Sequence, residues 1–373
     1  MAGQTKAKSA APKPGNFLEK MRALFAPQKG SGEKGQSKGD QNLGEIWQQF
    51  KQRLSGKSAS GESHEIVGII SRFDGVGLVH VMMRASGPPV LKLCLFKTLT
   101  MGRTADWAIA SMVRENQLEK AHFVTLLEPE EYSILPAEAP DVAKEELNSA
   151  VRWKIKDQLD FSATEAVVET FDLPSNQPDA TSGRLYAVAT RQSDVLTRIA
   201  PFHQHKFELK TIDIHELALL NLTMRCEDSA DGMGILFLRA KDGLVMAVRD
   251  GTMYMARQLE VGLERLLESL DGRAQVDPKE LADSPVLDNI ALEVQRTLDY
   301  YESHFMQPPA SSLHLAPLEI SFPGLTDALA DKLGMRVKRF PVTEIFEYAQ
   351  EFETTDVGRC LPALGAVLRP EAE

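Results

Sequence analysis

Apolar residues near the start of the folded part alternate with polar ones in short runs. "HEIVGIIS" (64–71), "GVGLVHVMMRA" (75–85) and "VLKLCLFKTL" (90–99) each predict a strand. The turn-forming Asp74-Gly75 and Ser86-Gly87-Pro88-Pro89 between them predict hairpins. A helix over 104–117 and a strand "AHFVTLL" (121–127) follow. The same order returns in the second half with "GILFLRA", "GLVMAVRD" and "TMYMARQLE", punctuated by Asp242-Gly243 and Asp250-Gly251, and then "GLERLLESL" in helical spacing. A long helix over 285–304 carries the stripe Leu287, Ile290, Ala291, Val294, Leu298, Tyr301 and Phe305. Strand "SSLHL", helix "GLTDALADKL" and strand "MRVKRF" complete this half. Meander, helix and strand, given twice, predict a two-lobed α/β protein built on a duplicated unit.

Between the halves the pattern predicts an inserted α+β subdomain. Its helix, over 141–159, bears the stripe Leu147, Val151, Ile155 and Leu159, and the strands "AVVETFDLP" and "GRLYAVAT" follow. Trp153 points nearly opposite that stripe, which implies a second apolar contact, with another element or with a partner. Ahead of the first strand lies an arm too poor in apolar residues to fold alone, with "QKGSGEKGQSKGDQ" as its most linker-like part. Two stretches interrupt it at helical spacing: Phe17, Leu18, Met21, Leu24 and Phe25 in the first, Leu43, Ile46, Trp47, Phe50 and Leu54 in the second. Each predicts a short amphipathic helix with a basic rim, suited to a partner or to an anionic membrane surface.

Charge sharpens this division. The net charge of −11 conceals an arm with 11 Lys and Arg against 4 acids over 1–60, and an acidic body of net −18 after it. A body of that sign disfavours nucleic acid, because it offers few cations to displace counterions from phosphates. Neither a signal-peptide core nor a run of roughly 20 apolar residues is present, so a cytosolic protein is expected. The cysteines Cys94, Cys226 and Cys360 are far apart and odd in number, which suggests neither a disulfide framework nor a zinc site.

Catalytic chemistry is sparse. His203 and His205, with His215 nearby, are the only histidine cluster, and their setting reads as surface rather than metal shell. Glu130-Glu131 and Glu145-Glu146 read as solvated faces, and the chain has neither a nucleophile elbow nor a Walker motif.

Several longer stretches are similar to the PilM proteins of type IV pilus assembly, in their MSHA-type branch. They are "AVRWKIKDQLDFSATEAVVETFDLP", "TIDIHELALLNL", "LEVQRTLDYYESHFMQPPASSLHL", "FPGLTDALADKLGMRV" and "LPALGAVL". The resemblance covers nearly all of 65–368 and implies a two-lobed actin-like ATPase fold of duplicated RNase H-like units. The expected division is a basic disordered arm over 1–62, a first lobe over 63–225 with the insertion at about 130–191, and a second lobe over 226–373. It also implies a scaffold at the cytosolic face of the inner membrane, holding the cytosolic tail of a PilN-like single-pass protein near Trp153 and Phe161. A homo-oligomer is compatible with it. The alternatives are a divergent ATPase, or the related cytosolic lobe of type II secretion.

The resemblance also locates a nucleotide site, where an Asp organises Mg²⁺ and small residues expose backbone N–H groups to phosphate. Laid on the family's "GIDIGSSSVKLV", this chain reads "GIISRFDGVGLV", with Ile70 in place of the Asp and Arg72 in place of the Gly. Arg239 stands near the acid of the second phosphate strand, and Pro317 and Leu318 replace the paired glycines of the adenosine loop. The turn after the first strand is therefore expected to be a plain hairpin, the site degenerate, and cofactor and catalysis absent.

Overall fold

The computed structural model describes residues 64–174 and 183–369. The arm, with Phe17, Leu18, Met21, Leu24, Phe25, Ile46, Trp47 and Phe50, lies outside the described residues.

The alternating runs form the strands expected of them. β1 (His64–Ser71), β2 (Gly75–Met83) and β3 (Val90–Thr98) make an antiparallel meander, followed by α1 (Ala105–Glu115) and β4 (His122–Leu126). Thr104 caps α1 by accepting from the Trp107 N–H at 3.2 Å. β5 (Tyr132–Glu138), α2 (Lys144–Lys154), β6 (Ala166–Asp172) and β7 (Arg184–Arg191) build the insertion. Next come α3 (Gln192–His205), β8 (Glu208–Asp213) and α4 (His215–Thr223). The second half repeats the plan with β9 (Met233–Leu238), β10 (Gly243–Arg249), β11 (Thr252–Leu259), α5 (Leu263–Ser269), α6 (Pro278–Ala282), α7 (Pro285–Phe305), β12 (Ser312–Leu315), α8 (Leu325–Leu333) and β13 (Val337–Arg339). α9 (Val342–Ile345), β14 (Glu347–Tyr348) and α10 (Thr354–Ala366) close the described chain.

The two large sheets carry one strand order. The first runs β14-β3-β2-β1-β4-β8 and the second β11-β10-β9-β12-β13. Counted within each half, both read third, second, first, fourth, fifth, with the meander antiparallel and the last two strands parallel to the first. α4 and α10 share a core with facing strands of both sheets, and Val79, Leu91, Leu219, Phe237, Met246 and Leu364 meet there. Burying each Leu or Val of this layer contributes roughly 1.5–3 kcal/mol. All three cysteines are free and buried.

Three elements depart from the sequence expectations. The insertion helix ends at Lys154 rather than at Leu159: Ile155 leaves helical geometry, and Leu159 is extended while still packing with Val151 and Ile155. β5 is an edge strand that the pattern did not announce, because Pro136 interrupts it and its exposure does not alternate cleanly. Within the stretch expected as the second lobe, two elements pack with the first sheet. β14 pairs in parallel with β3 and covers that sheet edge, and α10 lies on β1 to β4 of the first sheet.

Candidate functional site

β1 and β2 are joined over Phe73 and Asp74, and the Arg72 N–H donates to the Gly75 carbonyl at 2.9 Å. Ile70 is buried in the core between the sheets. The glycines of this hairpin serve packing: a Cβ at Gly75 would lie 2.4 Å from the Phe96 ring, and one at Gly77 would lie 2.7 Å from Cys360 Sγ. The turn's functional group is instead the Arg72 side chain. Its Nε donates to Asp74 at 3.0 Å, and its Nη1 and Nη2 both reach Glu319, the latter at 2.9 Å.

The second half repeats the device. Arg239, at the turn after β9, donates through Nε and Nη2 to Asp242 at 2.5 and 2.7 Å, and through Nη1 to Glu128 at 3.1 Å. Glu128 follows the fourth strand of the first half, and Glu319 follows the fourth strand of the second. Each first-hairpin arginine thus binds a carboxylate of its own turn and one from the opposite half. A third link joins the turns at the surface, where Lys241 Nζ lies 4.1 Å from the centroid of the largely exposed Phe73 ring.

Behind these pairs, Arg198 Nε holds both Glu131 oxygens at 3.1 and 2.8 Å, and its Nη1 donates to the Ser71 carbonyl at 2.5 Å. Glu131 also accepts from the Glu128 N–H at 2.8 Å, and His215 Nε2 stands 3.5 Å from Glu128. Burial opposes the charge on Glu128, but His215, Arg239 and Arg198 outweigh it and bring its pKa down to about 2. Burial opposes the charge on Arg72 too, yet Glu319, Asp74 and Glu128 raise its pKa. For Glu131 burial prevails and the pKa rises despite Arg198.

Three guanidiniums, of Arg72, Arg198 and Arg239, thus face five carboxylates, of Asp74, Glu128, Glu131, Asp242 and Glu319. Each arginine is already engaged by acid. An incoming polyphosphate would have to break these pairs, among them the buried, bidentate Arg72–Glu319 pair, and then meet the carboxylates left behind. The Pro317-Leu318 loop is likewise occupied, for a Cβ on Gly358 of α10 would lie 2.7 Å from the Pro317 carbonyl oxygen. Among the described residues no group of three or more His, Cys, Asp or Glu is placed to hold a metal ion.

The insertion presents a different surface. Its sheet runs β5-β7-β6, and α2 packs on it through Val151, with Ile155 just after the helix joining the same core. Trp153, on the other face of α2, is 51% exposed, with the Arg152 guanidinium 5.7 Å from its ring. Phe161 is half-buried against the subdomain core, under the Arg191 guanidinium at 4.8 Å. The two residues share the subdomain.

No family model matches the chain, and no curated protein matches it by sequence. Among solved structures it is similar to the PilM–PilN type IV pilus biogenesis complex, at 20% identity and a TM-score of 0.65, over 81% of this chain and 97% of that one. The fold of this chain is a two-lobed actin-like fold. A more distant likeness links it to the cytoplasmic domain of EpsL, an inner-membrane component of the Vibrio cholerae type II secretion system, at 11% identity, a TM-score of 0.42, and 82% and 96% coverage.

Within this actin-like frame, the expected site residues scatter by role. Ile70 is buried in the core between the sheets, Arg72 and Arg239 make the ion pairs across the cleft between the two halves, Pro317 and Leu318 pack on α10, and Trp153 and Phe161 lie on the insertion. The histidine cluster does not assemble. His203 is exposed, His205 Nε2 bonds Asp106 at 3.1 Å, and His215, expected at the surface, is buried beside Glu128 because it opens α4 behind β4. Sequence reasoning missed Glu128, Glu131, Arg198, Asp242 and Glu319. One signal was available: Arg72-Phe73-Asp74 and Arg239-Ala240-Lys241-Asp242 are the same arginine-then-acid turn at equivalent places of the repeat.

Proposed function

We propose that this chain is a non-catalytic docking protein of type IV pilus assembly, of the MSHA-type branch, whose interlobe cleft is closed by its own ion pairs. The observation that carries the reading is the reciprocal pairing of Arg72 with Glu319 and of Arg239 with Glu128. It supports the reading because these guanidiniums are engaged by carboxylates of the chain itself and link its two halves.

In this reading the chain binds the cytosolic tail of a PilN-like inner-membrane protein through the insertion and the neighbouring first sheet, with Trp153 as the anchor. The similar PilM–PilN complex supports it, as does an exposed indole with its own stripe already buried. The place of action is the cytosolic face of the inner membrane. Among the described residues no helix is long and apolar enough to cross a membrane.

Calorimetric titration of the full chain, first with Mg²⁺·ATP and then with the tail peptide of the pilus-operon membrane protein, tests this. Heat from the peptide and none from the nucleotide is the expected result. Saturable nucleotide binding would overturn the non-catalytic half of the proposal, and silence from the peptide would overturn the docking half.

A further inference from the structure

The loop between β3 and α1 is built to project an apolar tip. The Arg103 N–H donates to the Thr100 carbonyl at 3.1 Å, closing a turn over Met101 and Gly102. Gly102 has φ +84°, the left-handed value that the third position of a type II turn requires. Met101 at the apex is wholly exposed. One turn into α1, Trp107 is 40% exposed and flanked by two cations, the Arg103 guanidinium at 4.0 Å and Lys97 Nζ at 5.0 Å from its ring. From Leu93 to Ala105 the chain carries these two cations and no carboxylate, within a body of net −18. Of the acids of α1, Asp106 bonds His205 at 3.1 Å, while Glu115, bonded to Ser111, also lies 3.4 Å from Lys97 Nζ and leaves Arg103 as the cation without a carboxylate bonded to it among the described residues.

We propose that this tip, Met101 and Trp107 with Lys97 and Arg103, touches an anionic lipid bilayer. The partner's class follows from size and charge. Two apolar side chains amid threonines and a glycine fall well short of the roughly 800 Å² per partner that a stable protein interface buries. A bilayer needs no such area. It accepts a thioether and an indole at the headgroup boundary while the Lys and Arg heads reach lipid phosphates. Each cation near an anionic surface strengthens partitioning about fivefold, so the pair contributes about 25-fold and gives a weak, reversible contact. Such a contact orients a protein that is held to the membrane by something else.

The test uses the full chain with Trp47→Phe and Trp153→Phe, so that Trp107 is the sole tryptophan and is excited selectively over tyrosine, after circular dichroism confirms the fold. Vesicles of phosphatidylglycerol and phosphatidylcholine with brominated acyl chains should quench Trp107, and phosphatidylcholine vesicles alone should not. Adding Lys97→Gln and Arg103→Gln should weaken partitioning about 25-fold. Sedimentation with anionic vesicles while Trp107 emission is unchanged would mean that another part of the chain binds lipid, and would overturn the proposal. Quenching that persists on neutral vesicles would overturn its electrostatic basis. A spectral shift with a poly-glutamate peptide and no quenching by lipid would make the tip a protein-docking site instead.

Discussion

The cleft and the insertion treat side chains in opposite ways. In the cleft, buried charges meet opposing charges from the other half, and the Glu319 side chain is 1% exposed against Arg72. On the insertion, an indole is left half in water beside the neighbouring Arg152. Buried ion pairs are costly to break singly and offer little to a newcomer, whereas an uncovered aromatic surface costs little to keep and has binding energy to give. In the proposed reading, recognition has moved from the groove between the halves to the outer face of the insertion.

Breaking the cleft should give the largest effect. Arg72→Ala leaves Glu319 buried and unpaired, and should destabilise the protein by about 3–5 kcal/mol in chemical denaturation. Arg72→Met with Glu319→Leu should recover much of that loss. If the double variant is no more stable than the single one, the pair is not the closure described here. Acid should act on the same cluster. A carboxyl held at about 2 in the fold, against an ordinary 4.5, stabilises the protein at every pH above 4.5. That contribution fades as pH falls from 4.5 towards 2, by roughly 3 kcal/mol in all. Glu128→Gln should flatten the stability profile across that window, and an unchanged slope would assign the acid sensitivity to other groups.

On the insertion the expected effect is on binding alone. Trp153→Ala should weaken tail-peptide binding tenfold or more, about 1.4 kcal/mol or above, and shift stability by no more than about 0.5 kcal/mol. A large stability loss would make Trp153 a structural residue. The smallest effect belongs to the surface link between the turns: Phe73→Ala removes its contact with Lys241, for a loss of about 0.5–1 kcal/mol.

The duplicated plan was legible because it is written in local signals. Alternating apolar residues and Asp-Gly turns announce both meanders, and the stripe of α7 announces its buried face. β5 was not legible, since an edge strand with Pro136 lacks the period. The cleft was half legible. Arg72 and Arg239 stand out against the family's loops, but their partners from the opposite half lie far along the chain, Arg72 and Glu319 being 247 positions apart. Periodicity carries no information at that range. The pairing emerges only when the two sheets face each other across α4 and α10.

The return of α10 to the first sheet bears on how the protein is made. Cys360 Sγ reaches the Leu95 carbonyl across 265 residues of chain. The apolar face of β1, β2 and β3 is among the first parts of the body to leave the ribosome, and it stays uncovered until α10 is synthesised. The first lobe therefore cannot finish folding ahead of the second. A nascent chain halted after α4 should expose that face to chaperones, and both lobes should reach the native state late and together.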